Sequence, residues 1–141
     1  MVADFDYELG AELQEIASLG SAIAAWGAAA HLTGQEIFQV GVIMEELVTN
    51  VIVHGFGVGR PGRIRLHLVR HRDAVILVLH DDAPPFDPFQ APPPDLTADI
   101  DARRVGGLGI HFVRSFATWW RYSRQAQQNS VVLCMSVGAP P

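Results

Sequence analysis

The stretch that decides the fold is EELVTNVIVHGFG, residues 45–57. Running into it, Ile37, Val40, Gly41, Met44, Leu47, Val48 and Val51 recur at the three-and-four spacing of an amphipathic helix, so the segment is expected to be helical. Glu46, Asn50 and His54 stand four residues apart on a second stripe whose neighbours Val42, Ile43 and Val53 are apolar as well. Either the three form a polar helix face or a satisfied hydrogen-bonded set, or they line a site.

Working outward, Thr33-Gly34-Gln35-Glu36 supplies a capping box for the start of this helix. Its end is expected near His54, where Gly55, Gly57, Gly59, Pro61 and Gly62 follow in quick succession. Further upstream, Leu9, Leu13, Ile16, Leu19, Ile23 and Trp26 read as one face of an earlier helix whose other face is mostly Ala, Gly and Ser. That helix is either buried on both sides or offers a dimer or partner surface.

Downstream, Ile64, Leu66 and Leu68 alternate with Arg63, Arg65 and His67; after a polar turn at residues 70–73 comes the apolar run 74–79. These read as an antiparallel pair, the second strand more deeply buried. Residues 88–105 are rich in Pro, Asp and Ala without a period, and so long a loop in a small domain is usually functional or disordered. Gly106-Gly107-Leu108-Gly109 then opens a short helix carrying Ile110, Val113 and Phe116. Two closing strands follow, one over residues 119–123 and one carrying Val131, Leu133, Met135 and Val137. The order predicts one α+β domain over residues 1–141, a two-layer α/β sandwich with helices on one face of a mixed, mainly antiparallel sheet.

Composition narrows the function. At 141 residues the chain buries roughly two thirds of its unfolded surface. A net charge of -5 argues against a general nucleic-acid binder. All ten basic residues are Arg, which excludes the lysine of a P-loop, Schiff-base catalysis and the Lys–Glu pair of ordinary protein kinases. Cys134 stands alone in a strand pattern and reads as a structural thiol. The acidic start MVADFDYELG lacks the features of a signal peptide, and the uncharged residues 16–30 are short for a membrane span, so a cytoplasmic location is expected. His67, His71 and His80 have no standard metal-ligand spacing, and no G-x-S-x-G supports Ser/His/Asp catalysis.

Three segments carry possible chemistry, each beside a plainer reading. Asn50 could present a neutral oxygen to a hard cation such as Mg²⁺ while Glu46 accepts a proton from a nucleophile; the plainer reading is a structural pair. Asp81 is either a turn former before Pro84-Pro85 or the acceptor for an amino group such as adenine N6. Such a charged hydrogen bond contributes about 1.5–3 kcal/mol, roughly ten- to a hundredfold in affinity. Gly106, Gly107 and Gly109 are either a hinge and cap or a backbone surface that phosphate oxygens approach at a helix N-terminus.

Glu46-x-x-x-Asn50-x-x-x-His54, Asp81-x-Ala83-x-x-Phe86-Asp87 and Gly106-Gly107-Leu108-Gly109-Ile110, in this order, resemble the motifs of the GHKL (Bergerat-fold) ATPases. Within them the chain is most similar to the anti-sigma-factor serine/threonine kinases of the RsbW and SpoIIAB type. Tyr122-Ser123-Arg124 with Asn129-x-Val131-x-Leu133 resembles their final hairpin. The resemblance implies that Asn50 binds Mg²⁺ bridging the ATP phosphates, that Glu46 is the general base, and that His54 sits near the phosphates. It further implies that Asp81 holds adenine N6, that Gly107 and Gly109 lie against the phosphates, and that residues 88–105 form an ATP lid. Ala83, Phe86, Gly106, Leu108 and Ile110 complete the implied nucleotide-binding set. At Ala83 the chain departs from the family's Asp-x-Gly; a methyl group there bears on the adenine, and on the turn if φ is positive.

The implied function is an ATP-dependent serine/threonine protein kinase that binds a sigma factor and phosphorylates an anti-anti-sigma partner. The resemblance also implies a homodimer, and the reading includes no direct nucleic-acid or membrane contact. The alternative is a non-catalytic ATP- or ADP-binding module that switches protein partners.

Overall fold

Alternation decides the first element. Asp4, Asp6 and Glu8 alternate with Phe5, Tyr7 and Leu9, and in the computed structural model, which describes residues 4–90 and 107–139, they form strand β1 (Asp4–Gly10). Leu9 therefore belongs to a strand, not to the helix face expected from its spacing with Leu13 and Ile16. Phe5, Tyr7 and Leu9 pair with Leu68, Leu66 and Ile64 of β2 (Arg63–His71), so the period of two had the stronger claim on this segment. Leu13 lies in a 3-10 turn (Leu13–Glu15) and is exposed.

Helix α1 (Ile16–Ala29) buries Leu19, Ile23, Trp26 and Gly27, while Ala17, Ser18, Ala24, Ala25 and Ala28 face outward. Within one chain, then, α1 is not buried on both sides. Gly27 permits close helix packing, since a Cβ there would fall 2.7 Å from Ile37 of α2. Helix α2 (Gly34–Asn50) begins at the expected capping box: Thr33 N donates to Glu36 Oε1 at 2.9 Å, and Glu36 N to Thr33 Oγ1 at 3.1 Å. It continues into a π-helical segment (Val51–Phe56) that ends at Gly57, whose φ is +95°. By length and composition Gly34–Phe56 could cross a membrane, but here it is the middle helix, flanked by α1 and α3 (Gly107–Phe116).

The sheet has the order β1-β2-β3-β5-β4, with β3 (Ala74–Asp81), β4 (Trp119–Gln125) and β5 (Gln128–Ser136). Every described pairing is antiparallel, which corrects the expectation of a mixed sheet. The cause is topological. The paired helices α1 and α2 return the chain beside its exit, at Gly10 and Arg63, and two tight hairpins do the same for β2–β3 and β4–β5. The single helix α3 makes β4 run in the direction of β3, but β5 stands between them.

The helices cover one face, where Leu47, Val48, Ile64, Leu77, Leu79 and Leu133 form the centre of the core. Arg70, expected in a turn, is instead a buried β2 residue. Its Nη1 donates to Ala30 O (2.9 Å) and His31 O (3.0 Å) and its Nη2 to Gly138 O (2.6 Å), so it satisfies carbonyls at the end of α1. Cys134 is half-buried and pairs across from Trp119, away from the core.

Candidate nucleotide and phosphoryl-transfer site

Two clusters form where the sequence placed its motifs. The first lies on α2 beneath α3. One helical turn brings Asn50 next to Glu46, and Asn50 Nδ2 donates to Glu46 Oε1 at 3.0 Å. Asn50 is 4% exposed, and its Oδ1 accepts no hydrogen bond from the described residues. Burial pushes the Glu46 carboxyl up to about 7; the neighbouring charge of Glu45 adds to the rise, and the Asn50 hydrogen bond opposes it. Glu46 lies directly against Gly109 in the first turn of α3. Ile110 is buried behind it.

The second cluster lies where β3 leaves the core. Asp81 pairs with Ile64 on one side and Asn129 on the other, and is 3% exposed. Its Oδ1 accepts from Ala83 N (3.0 Å) and Asn129 Nδ2 (2.8 Å); its Oδ2 has no partner among the described residues. Burial raises its pKa, against the pull of the Asn129 and Ala83 hydrogen bonds. Ala83 is fully buried and is not among the residues with positive φ, so its methyl group does not strain the turn. Gly55 of the π-helical segment makes room for it: a Cβ on Gly55 would already stand 3.4 Å from both Ala83 and Phe86.

Asn129 is the hub of this cluster; the sequence named it in the final hairpin without a role in the site. Its Nδ2 also reaches Pro84 O (2.9 Å) and Ala83 O (3.3 Å). Its Oδ1 accepts from Tyr122 Oη (2.5 Å), Arg124 Nη1 (2.9 Å) and Phe86 N (3.3 Å). Arg124 additionally holds Ala83 O at 3.0 Å. The alternation of β4 and β5 contained a signal, because Tyr122, Arg124 and Asn129 fall on the core-facing side, where polar residues need partners.

His54 is exposed, and its ring lies 6.4 Å from that of Phe86. Gly107 lies in the first turn of α3 beside Gly109. Gly106 and most of the expected lid, residues 91–105, lie outside the described residues, as does the side chain of Leu108. A 3-10 turn, Pro88–Gln90, is the described part of that loop.

Cavities of about 190 Å³ between α1 and α2 and about 670 Å³ around Ala11, Val58 and Arg60 contain none of these site residues. His67 is engaged elsewhere, 2.8 Å from Asp6 on β1.

A family model described as histidine kinase-like ATPase domain matches residues 9–135. The chain is also 31% identical over 96 residues, 68% of each chain, to the serine/threonine-protein kinase BtrW of Bordetella bronchiseptica.

Proposed function

Because the chain belongs to the histidine kinase-like ATPase domain family, we propose that it is an ATP-dependent serine/threonine protein kinase of the anti-sigma-factor type. The observation that carries this reading is Glu46. A carboxyl with a pKa of about 7 is matched to taking a proton at neutral pH, and a structural partner for Asn50 has no need of that tuning.

In the proposed reaction, Glu46 accepts the proton of a serine or threonine hydroxyl on the protein substrate. The hydroxyl oxygen bonds to the γ-phosphorus, the bond from that phosphorus to the β–γ bridging oxygen breaks, and ADP leaves. Asp81 offers Oδ2, a buried acceptor without a donor among the described residues, to the amino group of adenine, while Asn129 and Ala83 N fix the other oxygen. The Oδ1 of Asn50, buried and without a partner among the described residues, suits a hard cation, so Asn50 would hold Mg²⁺. When bound, Mg²⁺ supplies neutralisation of phosphate charge. The buried, unstrained Ala83 supports adenine binding despite the departure from Asp-x-Gly.

The partners in this reading are an anti-anti-sigma protein as substrate and a sigma factor held inactive, met in the cytoplasm by a homodimer. The test is phosphate transfer from Mg-ATP to the cognate antagonist captured from the native cell. Glu46→Gln is expected to keep Mg-ADP binding while transfer falls by roughly 10²–10⁴-fold. Equal transfer by variant and wild type would remove Glu46 from the base role. Binding of Mg-ATP without transfer to any captured partner would leave the non-catalytic switching module as the better account.

A further inference from the structure

Glycine at position 109 is expected to let phosphate oxygens approach the backbone, and on the side where a Cβ would stand the space is filled by Glu46. A Cβ built on Gly109 would fall 1.9 Å from both Cδ and Oε2 of Glu46 and 2.3 Å from its Cγ. Ordinary contact between such atoms is about 3.5–4.0 Å. Because Cγ is inside the overlap too, relief requires rotating the whole Glu46 side chain about χ1 and giving up the 3.0 Å hydrogen bond from Asn50 Nδ2 to Oε1. By contrast, Gly20, Gly34 and Gly41, also in helices, face open space.

We propose that Gly109 is the positioning residue for Glu46: the first turn of α3 presents a bare backbone surface on which the carboxyl lies, so the base and α3 are placed together. The two-sided hold, Asn50 on Oε1 and Gly109 against Oε2, fixes the direction of the carboxyl. The catalytic consequence rests on the kinase reading above; the contact itself does not.

A double-mutant cycle separates the two. Thermal unfolding without nucleotide is measured for wild type, Gly109→Ala, Glu46→Ala and the double variant. Gly109→Ala in the wild-type background is expected to lower Tm by about 3–10 °C through overpacking. With Glu46→Ala the space is vacated, and the same change is expected to leave Tm unchanged or raise it, as alanine favours a helix. An equal loss in both backgrounds, or no loss in either, overturns the seat, whatever the chain's activity.

Calorimetry and phosphotransfer supply the functional arm. Gly109→Ala is expected to lower transfer at saturating Mg-ATP by about 10²-fold through displacement of the base. Lost affinity with retained turnover would assign Gly109 to the phosphates and overturn the proposal. If wild type transfers no phosphate, the kinase reading fails and the Tm cycle alone decides the seat.

Discussion

Replacing Glu46 by Gln removes a charge while keeping the side chain's shape and its acceptor for Asn50. The native carboxyl stands at about 7 instead of 4.5, chiefly because burial disfavours its charged form. A raised folded-state pKa means that the native chain binds this proton more tightly than the unfolded chain. That contribution is fully present below the unfolded value of 4.5 and is lost as pH rises through about 7. A displacement of this size corresponds to roughly 3.4 kcal/mol at 1.36 kcal/mol per pH unit. Glu46 is only half-buried, so solvent screening reduces the expected effect to about 1–2 kcal/mol. Glu46→Gln should therefore gain about 1–2 kcal/mol relative to wild type, building up between about pH 4.5 and pH 7 and level above. Urea unfolding at a series of pH values measures this as a growing difference in midpoint at constant m. A difference that stays flat across the series would mean that the carboxyl ionises as it does in the unfolded chain, and the argument for a tuned base would fall with it.

Two further outcomes test the second cluster and the hairpin beside it. Asn129→Leu keeps the volume but leaves Tyr122 Oη and Phe86 N without their acceptor, and should cost roughly 2–5 kcal/mol in urea unfolding; a loss below about 1 kcal/mol would show that water or neighbouring groups replace the hub. Ala126 and Gln127 both adopt positive φ, 52° and 63°, in the two-residue turn between β4 and β5. Changing them to Asn-Gly, the pair this turn type favours, should stabilise the chain by about 1–2 kcal/mol, and an unchanged Tm would mean that the turn relaxes in solution.

Much of this architecture is legible from residue spacing. The capping box at Thr33, the alternation through β2 and the apolar run of β3 each had one physical reading, and each forms. β1 was equally legible by its alternation, but Leu9, Leu13 and Ile16 also satisfy a helical spacing, and in so short a segment the two periods compete. Arg70 shows a different limit. An arginine beside a turn reads as solvent-exposed, and only the long-range approach of Ala30, His31 and Gly138 reveals that its guanidinium is a buried donor. Motif spacing placed Glu46, Asn50 and Asp81, whereas the groups that fix them, Gly109 and Asn129, come from α3 and β5, and spacing along the chain does not report such contacts.

The position of His54 beside Phe86 follows from the same limit. Four-residue spacing aligns three side chains along one helix only while the helix remains α, drifting by about 40° at each step. From Val51 the backbone closes wider turns, with Gly57 N bonding Ile52 O at 3.0 Å, and the side chains beyond it are redirected. The widened end turns Gly55 onto Ala83 and His54 towards Phe86, so this part of the helix docks the loop that carries Asp81. The α-helical part keeps Glu46 and Asn50 together under α3. The stripe thus spans two packing environments, Glu46 and Asn50 under α3 and Gly55 and His54 beside the loop that carries Asp81. In the proposed kinase reading, removing the His54 ring is expected to disturb the Phe86 loop, while proton acceptance rests with Glu46.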